Sequence, residues 1–135
     1  MTAYKLEHFT ILCADMEKTK DFYCDVVGLK VGDRPDLGVK GYWLYAGDTP
    51  SVHLLDKEEM ASLTGKSADA QADTAALDHV AFICRGLDSA RQRLKSNNID
   101  FNESEFPGLM TQLFVKDPDN ILVELNFRIA DQGAN

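Results

Sequence analysis

Three histidines, His8, His53 and His79, are all that the chain contains, and each falls in a stretch that reads as a strand: Glu7-His8-Phe9, Val52-His53-Leu54 and Asp78-His79-Val80. Glu124 is a lone carboxylate in the run Ile121-Leu122-Val123-Glu124-Leu125. An ionised carboxylate buried without a partner costs roughly several kcal/mol even after relaxation, so such residues call for a hydrogen bond, a charge or a metal. One spacing relates all four, because 71 residues separate His8 from His79 and 71 separate His53 from Glu124. Taken singly, a strand histidine is more often a hydrogen-bonded core or edge residue, and Glu124 suits a water-facing position. Taken together, at equivalent points of a repeat, they form the donor set of a metal site: three imidazole nitrogens and one carboxylate.

One divalent ion per site would satisfy all four, and Fe, Mn, Ni, Co and Zn accept such donors to overlapping degrees. An octahedral ion would keep two adjacent positions open, enough for a substrate with two neighbouring oxygens. It would then act as a Lewis acid toward charge developing on those oxygens.

The elements that must position these residues come in the same order twice. Residues 6–13 read as a buried strand, Asp15 stands where a helix N-cap belongs, and Met16, Phe22, Tyr23, Val26 and Val27 recur at helical spacing before Gly28. Strands are predicted over 29–33, 41–46 and 51–56, separated by Arg34-Pro35-Asp36 and Gly47-Asp48-Thr49-Pro50. Residues 57–75 are polar and read as a linker. The second half repeats the pattern: a strand over 77–84, a helix carrying Leu87, Ala90 and Leu94, and strands over 100–106, 110–116 and 121–127, with Asp117-Pro118-Asp119-Asn120 as the last turn. The reading is α+β, two tandem βαβββ modules at about 4–56 and 76–128.

With 135 residues the chain is expected to form a single domain with its own core. Its 44% apolar and 27% charged residues are ordinary for a globular protein. A net charge of −8 repels phosphate backbones and anionic lipid, so neither nucleic acid nor membrane is an expected partner. No secretory leader or bilayer-spanning run is evident, which makes the cytoplasm the expected location. Cys13, Cys24 and Cys84 lack CxxC spacing and read as buried fillers.

The residues resemble the vicinal oxygen chelate superfamily of glyoxalases, fosfomycin resistance enzymes, extradiol dioxygenases and bleomycin resistance proteins. The likeness covers nearly the whole chain. It lies in the opening histidine strand, Asp15, Asp21-Phe22-Tyr23, Val26-Val27-Gly28-Leu29, Asp78-His79-Val80-Ala81-Phe82 and Phe114-Val115-Lys116-Asp117-Pro118-Asp119-Asn120 leading to Glu124. It implies two modules forming an eight-stranded open cleft, with metal ligands on the first and fourth strand of each module. Those four places hold His8, His53, His79 and Glu124. It also implies a homodimer, since many short relatives build the cleft across two subunits. The 71-residue spacing pairs Trp43 with Phe114, either as an aromatic wall that binds an apolar part of the substrate or as ordinary core aromatics. Tyr45, Gln112 and Lys116 read equally as substrate contacts or as solvent-facing strand residues.

Three functions compete. In a glyoxalase-like lyase or isomerase, Glu124 moves a proton on a metal-bound hydroxycarbonyl compound; Leu12 and Lys57 stand where glutathione-using relatives carry their own polar residues. In an extradiol-type Fe(II) dioxygenase, His8, His79 and Glu124 hold the iron and His53 serves as acid–base. That family's terminal signature is altered here, with Phe114 for its tyrosine, Asn120 for its glycine and no histidine near Phe106-Pro107. In an antibiotic-type binding protein, a small molecule is held without chemistry. Small-molecule substrate, metal and lyase or isomerase activity are the expectation carried forward.

Overall fold

The computed structural model describes residues 1–65 and 77–132, in two compact units, residues 1–73 and 74–135. In the first unit β1 (Phe9–Cys13) leads to α1 (Met16–Phe22), which runs on into a π-helical turn, Tyr23–Val27. Asp15 has an extended backbone and its side chain accepts a hydrogen bond from Lys18 N at 3.2 Å, satisfying one of the helix's free donors. Gly28, at φ 92°, takes the left-handed conformation that closes the turn. The strands β2 (Lys30–Gly32), β3 (Gly41–Ala46) and β4 (Thr49–Asp56) complete a sheet of order β1-β4-β3-β2, in which β1 runs parallel to β4 and the other pairs are antiparallel.

Alternation along these strands decides what the sheet presents. Val52 and Leu54 on β4 and Leu44 on β3 are fully buried, together with Ile11, Cys13, Phe22, Tyr23 and Val26, and α1 packs on β3 and β4. Each such aliphatic side chain contributes roughly 1.5–3 kcal/mol by leaving water. His53 and Trp43, one residue out of step, therefore lie on the opposite face.

After α2 (Lys57–Thr64), the second unit has the same order: β5 (Val80–Ile83), α3 (Leu87–Ser96), β6 (Asn102–Phe106), β7 (Met110–Lys116) and β8 (Leu122–Arg128), in a sheet of order β5-β8-β7-β6 with β5 parallel to β8. Leu94, Leu113, Val115, Val123, Leu125 and Phe127 form its core. The buried Asp117 shapes the β7–β8 turn: its Oδ1 accepts from Asp119 N at 2.9 Å and Ile121 N at 2.8 Å, while Asn120 sits at φ 68°. The fold is α+β, two four-stranded mixed sheets with helices.

Three features depart from the sequence reading. The parallel ladders begin at Phe9↔Val52 and Val80↔Val123, so β1 and β5 start later than predicted, and His8 and His79 stand just ahead of their strands. The predicted linker 57–75 opens with a helix, α2 (Lys57–Thr64), because Asp56 accepts from Glu59 N at 2.8 Å, Glu58 and Glu59 suit the positive helix start, and Gly65 at φ 70° ends it. It buries no residue, which is why no apolar stripe announced it. Residues 66–75 of that linker lie outside the described residues. A short α4 (Ile129–Gln132) follows β8.

Candidate functional site

In the first unit His53 is paired across the sheet with Trp43 on β3 and with Thr10 on β1. Its ring is sandwiched: the His8 ring stacks on it with centroids 3.8 Å apart, and the Trp43 ring at 4.4 Å. His53 Nε2 lies 3.0 Å from the Pro50 carbonyl, so this nitrogen carries the proton and Nδ1 keeps its lone pair in the neutral ring. Burial, then the neighbouring His8, lower the His53 pKa from its ordinary value against the opposing pull of the Pro50 carbonyl. His8 Nδ1 is 2.8 Å from Glu7 Oε1, a contact that fixes the ring and leaves Nε2 available.

In the second unit His79 precedes β5 and Glu124 lies on β8. His79 Nε2 is 2.9 Å from Glu124 Oε2, and His79 Nδ1 is 2.8 Å from Asp78 Oδ2. The Asp78 hydrogen bond, ahead of the Glu124 charge, raises the His79 pKa against desolvation. Acidic residues thus precede and orient the histidine in both units, Glu7 for His8 and Asp78 for His79. Glu124 is 8% exposed, and its other oxygen, Oε1, accepts from Gln112 Nε2 on β7. The same amide donates to Asn126 Oδ1 at 3.0 Å. Phe114 stands directly across from Glu124 in the β7–β8 pairing.

The four sequence-predicted ligands therefore come together as two pairs, His8 with His53 and His79 with Glu124. Among the described residues no three His, Cys, Asp or Glu side chains form a cluster suited to a metal ion. Glu124 is buried, and His8 and His53 are half-buried. His79 has a side chain that is 40% exposed, since it lies ahead of β5 rather than inside the strand predicted for it. Trp43 is half-buried and stacks on His53.

Neutral imidazoles and a carboxylate are donors for a divalent cation. The buried Glu124 carboxylate, turned toward an imidazole nitrogen and steadied by an amide, has the supporting bonds that metal-ligating carboxylates carry. In donor type the residues fit such an ion. The cysteines do not contribute: Cys13 is buried, Cys24 is raised by burial, and burial pushes the Cys84 thiol up to about 11.

Gln112, read from the sequence as a substrate contact or a solvent-facing residue, and Asn126, which the sequence reading missed, are joined by the β7–β8 register, which sets them opposite one another and two residues from Phe114 and Glu124 on the same face. Tyr45 is occupied structurally, its hydroxyl donating to Asp33 O at 2.6 Å and its ring lying against Gly32. Lys116 is exposed.

A sequence profile described as Glyoxalase/Bleomycin resistance protein/Dioxygenase superfamily matches residues 5–125. The protein Glyoxylase I 4 of Arabidopsis thaliana is 31% identical over 124 residues, covering 89% of this chain and 68% of that protein. Lactoylglutathione lyase of Schizosaccharomyces pombe is 26% identical over 144 residues, covering 93% of this chain and 48% of the lyase, so the chain spans about half the lyase's length. Among solved structures, TnmS3, an antibiotic binding protein from Streptomyces sp. CB03234, superposes with a TM-score of 0.68 at 19% identity over 95% of this chain and 98% of that one. At that identity the likeness is one of fold.

Proposed function

This chain belongs to the Glyoxalase/Bleomycin resistance protein/Dioxygenase superfamily, and from that premise we propose that it is a divalent-metal-dependent, glyoxalase-like lyase or isomerase acting on a small oxygenated substrate. His8, His53, His79 and Glu124 would hold the ion, which when bound supplies Lewis acidity to two neighbouring substrate oxygens. The observation that carries the reading is the His79–Glu124 pair, a buried carboxylate 2.9 Å from an imidazole nitrogen, at the repeat positions that His8 and His53 occupy in the first unit.

Within this reading Glu124 has two separate tasks for its two oxygens. Oε1 is held by Gln112. Oε2 faces His79 and is the atom that would take the proton from the hydroxyl-bearing carbon beside a substrate carbonyl and return it to the carbonyl carbon, while the hydroxyl proton passes to the former carbonyl oxygen, so that the isomerisation balances without a further reactant. With Nε2 committed to the Pro50 carbonyl, His53 has one free nitrogen, Nδ1, so its role as a ligand and its role as the second proton-handling group are alternatives; in the latter its lowered pKa keeps it neutral and able to accept near pH 7. Trp43 and Phe114 would hold the apolar part of the substrate. A homodimer is proposed as the functional state.

The test is the metal content of protein purified without chelator or histidine tag, alongside His79→Ala and Glu124→Ala. A stoichiometric metal load that both substitutions abolish is the expected result. A metal-free parent that takes up none of the five candidate ions on reloading would refute the assignment.

A second reading, a small-molecule binding protein without turnover, is favoured by one observation: the His8–His53–Trp43 stack is a ready platform for a flat apolar ligand, and the fold neighbour TnmS3 binds an antibiotic. Binding of such a ligand with equal affinity in metal-loaded and stripped protein, with no conversion of any hydroxycarbonyl substrate, would move the assignment to this reading.

A further inference from the structure

The first unit contains a charged group that the proposed chemistry leaves unused. Arg34, in the loop between β2 and β3, donates from Nη1 to the Val39 carbonyl at 3.0 Å. Its Nε and Nη2 are buried and, among the described residues, have no hydrogen-bond partner. These two nitrogens form one edge of the guanidinium, where two N–H bonds run side by side at the spacing of carboxylate oxygens. A permanently charged group whose paired donors are both unmet is costly, and in native structures a ligand, an ion or an ordered water completes such a group.

The position of this edge is set by a glycine. A Cβ on Gly41 would lie 2.5 Å from the Leu54 carbonyl oxygen, 2.9 Å from Arg34 Nη2 and 3.0 Å from Cζ, so the β4 backbone and the guanidinium together occupy the room that a side chain at position 41 would fill. Gly41 is two residues before Trp43 on β3 and pairs with Leu55, two residues after His53 on β4. Strand alternation places that room on the face bearing Trp43 and His53. The repeat agrees: 71 residues after Gly41 comes Gln112, whose side chain reaches Glu124 on the equivalent face of the second unit. The Arg34 charge is also among the influences that lower the His53 pKa, which places the two within electrostatic reach.

We propose that Arg34 is an anion-binding residue of this site, and that its Nε–H and Nη2–H edge receives a carboxylate of the ligand in a two-pronged hydrogen bond beside His53 and Trp43. This rests on the reading that the His53 face binds the substrate, and it narrows the substrate class to acids. The edge is closed to solvent against Gly41, so the ligand is received as the side chain swings away from it. The loop that carries it, residues 33–40, has no regular structure and is exposed over most of its length.

The test uses metal-free, nitrogen-15-labelled protein at about pH 8, where an ordinary imidazole is neutral and cannot bind the anion in place of Arg34. Benzoate is the probe and benzamide its uncharged counterpart, with the Arg34 Nε–H and Trp43 indole N–H signals followed by NMR. Benzoate is expected to move both signals, Arg34→Gln to weaken its binding by about tenfold or more, and benzamide to bind at least that much more weakly. An unmoved Arg34 signal at saturating benzoate, equal affinity in Arg34→Gln, or benzamide binding as tightly would each overturn the proposal. The Arg34 signal of the unaltered protein decides the matter should the variant not fold. With no metal present, the result is independent of the ion: a benzoate response in a protein that never loads metal removes the lyase reading alone, and metal loading without the response removes Arg34 alone.

Discussion

Glu124 shows how much of a residue's role is set by its neighbours. A carboxylate in an aliphatic strand is expensive to bury, and three contacts offset that cost here: His79 on one oxygen, Gln112 on the other, and through Gln112 the Asn126 side chain. Gln112 is thus a positioning residue that orients the carboxylate. Gln112→Leu, of similar volume, removes the donor and is expected to weaken divalent-metal affinity by roughly tenfold to a hundredfold, the usual loss when a supporting partner of a ligand is deleted. Competition calorimetry with unchanged far-ultraviolet circular dichroism would establish this. Affinity equal to that of the parent protein would mean that the amide only fills space.

At the scale of elements, the site depends on where ladders and helices begin. His8 and His79 precede their parallel ladders, free of strand pairing, and a carboxylate from the preceding residue orients each ring instead. Downstream of His53, the same strand ends at Asp56, whose side chain caps α2. That cap joins β4 to a helix that buries nothing of its own, so helix formation there leans on local bonds rather than on packing. Asp56→Ala is expected to cost about 1 kcal/mol of unfolding free energy in urea titrations. Asp56→Asn, which keeps the accepting oxygen, is expected to recover most of it; no difference between the two variants would show that the cap is not what holds α2.

For the whole molecule the proposal to be tested is that two chains supply one ion's ligands. Each unit carries one pair, so the proposed homodimer can join the His8–His53 pair of one subunit with the His79–Glu124 pair of its partner. Co-refolding of two inactive doubles, His8→Ala/His53→Ala and His79→Ala/Glu124→Ala, tests this. Statistical exchange leaves one intact site in each mixed dimer, so the expected metal load is about a quarter of the parent protein's. A mixture that binds no more metal than either double alone would place all four ligands within one chain. Among the described residues no helix is long and apolar enough to cross a membrane.

The repeat was legible in the sequence because it has a chemical marker: rare polar residues in apolar strands recur only where something needs them, and the 71-residue spacing exposed two equivalent frames without any coordinates. Asp15, Gly28 and the Asp117-to-Asn120 turn were readable for a similar reason, since caps and turns are set by side chains a few residues away. What tertiary structure alone decided are contacts made across strands. The stacking of His8, His53 and Trp43, the Gln112 bond to Glu124 and the lodging of Arg34 over Gly41 join residues 10 to 45 or 7 to 12 positions apart. Sheet register brings Trp43 to His53 and Gln112 to Glu124, while His8 and Arg34, outside the ladders, are placed by packing against those strands; register depends on the sum of many pairings rather than on any local signal.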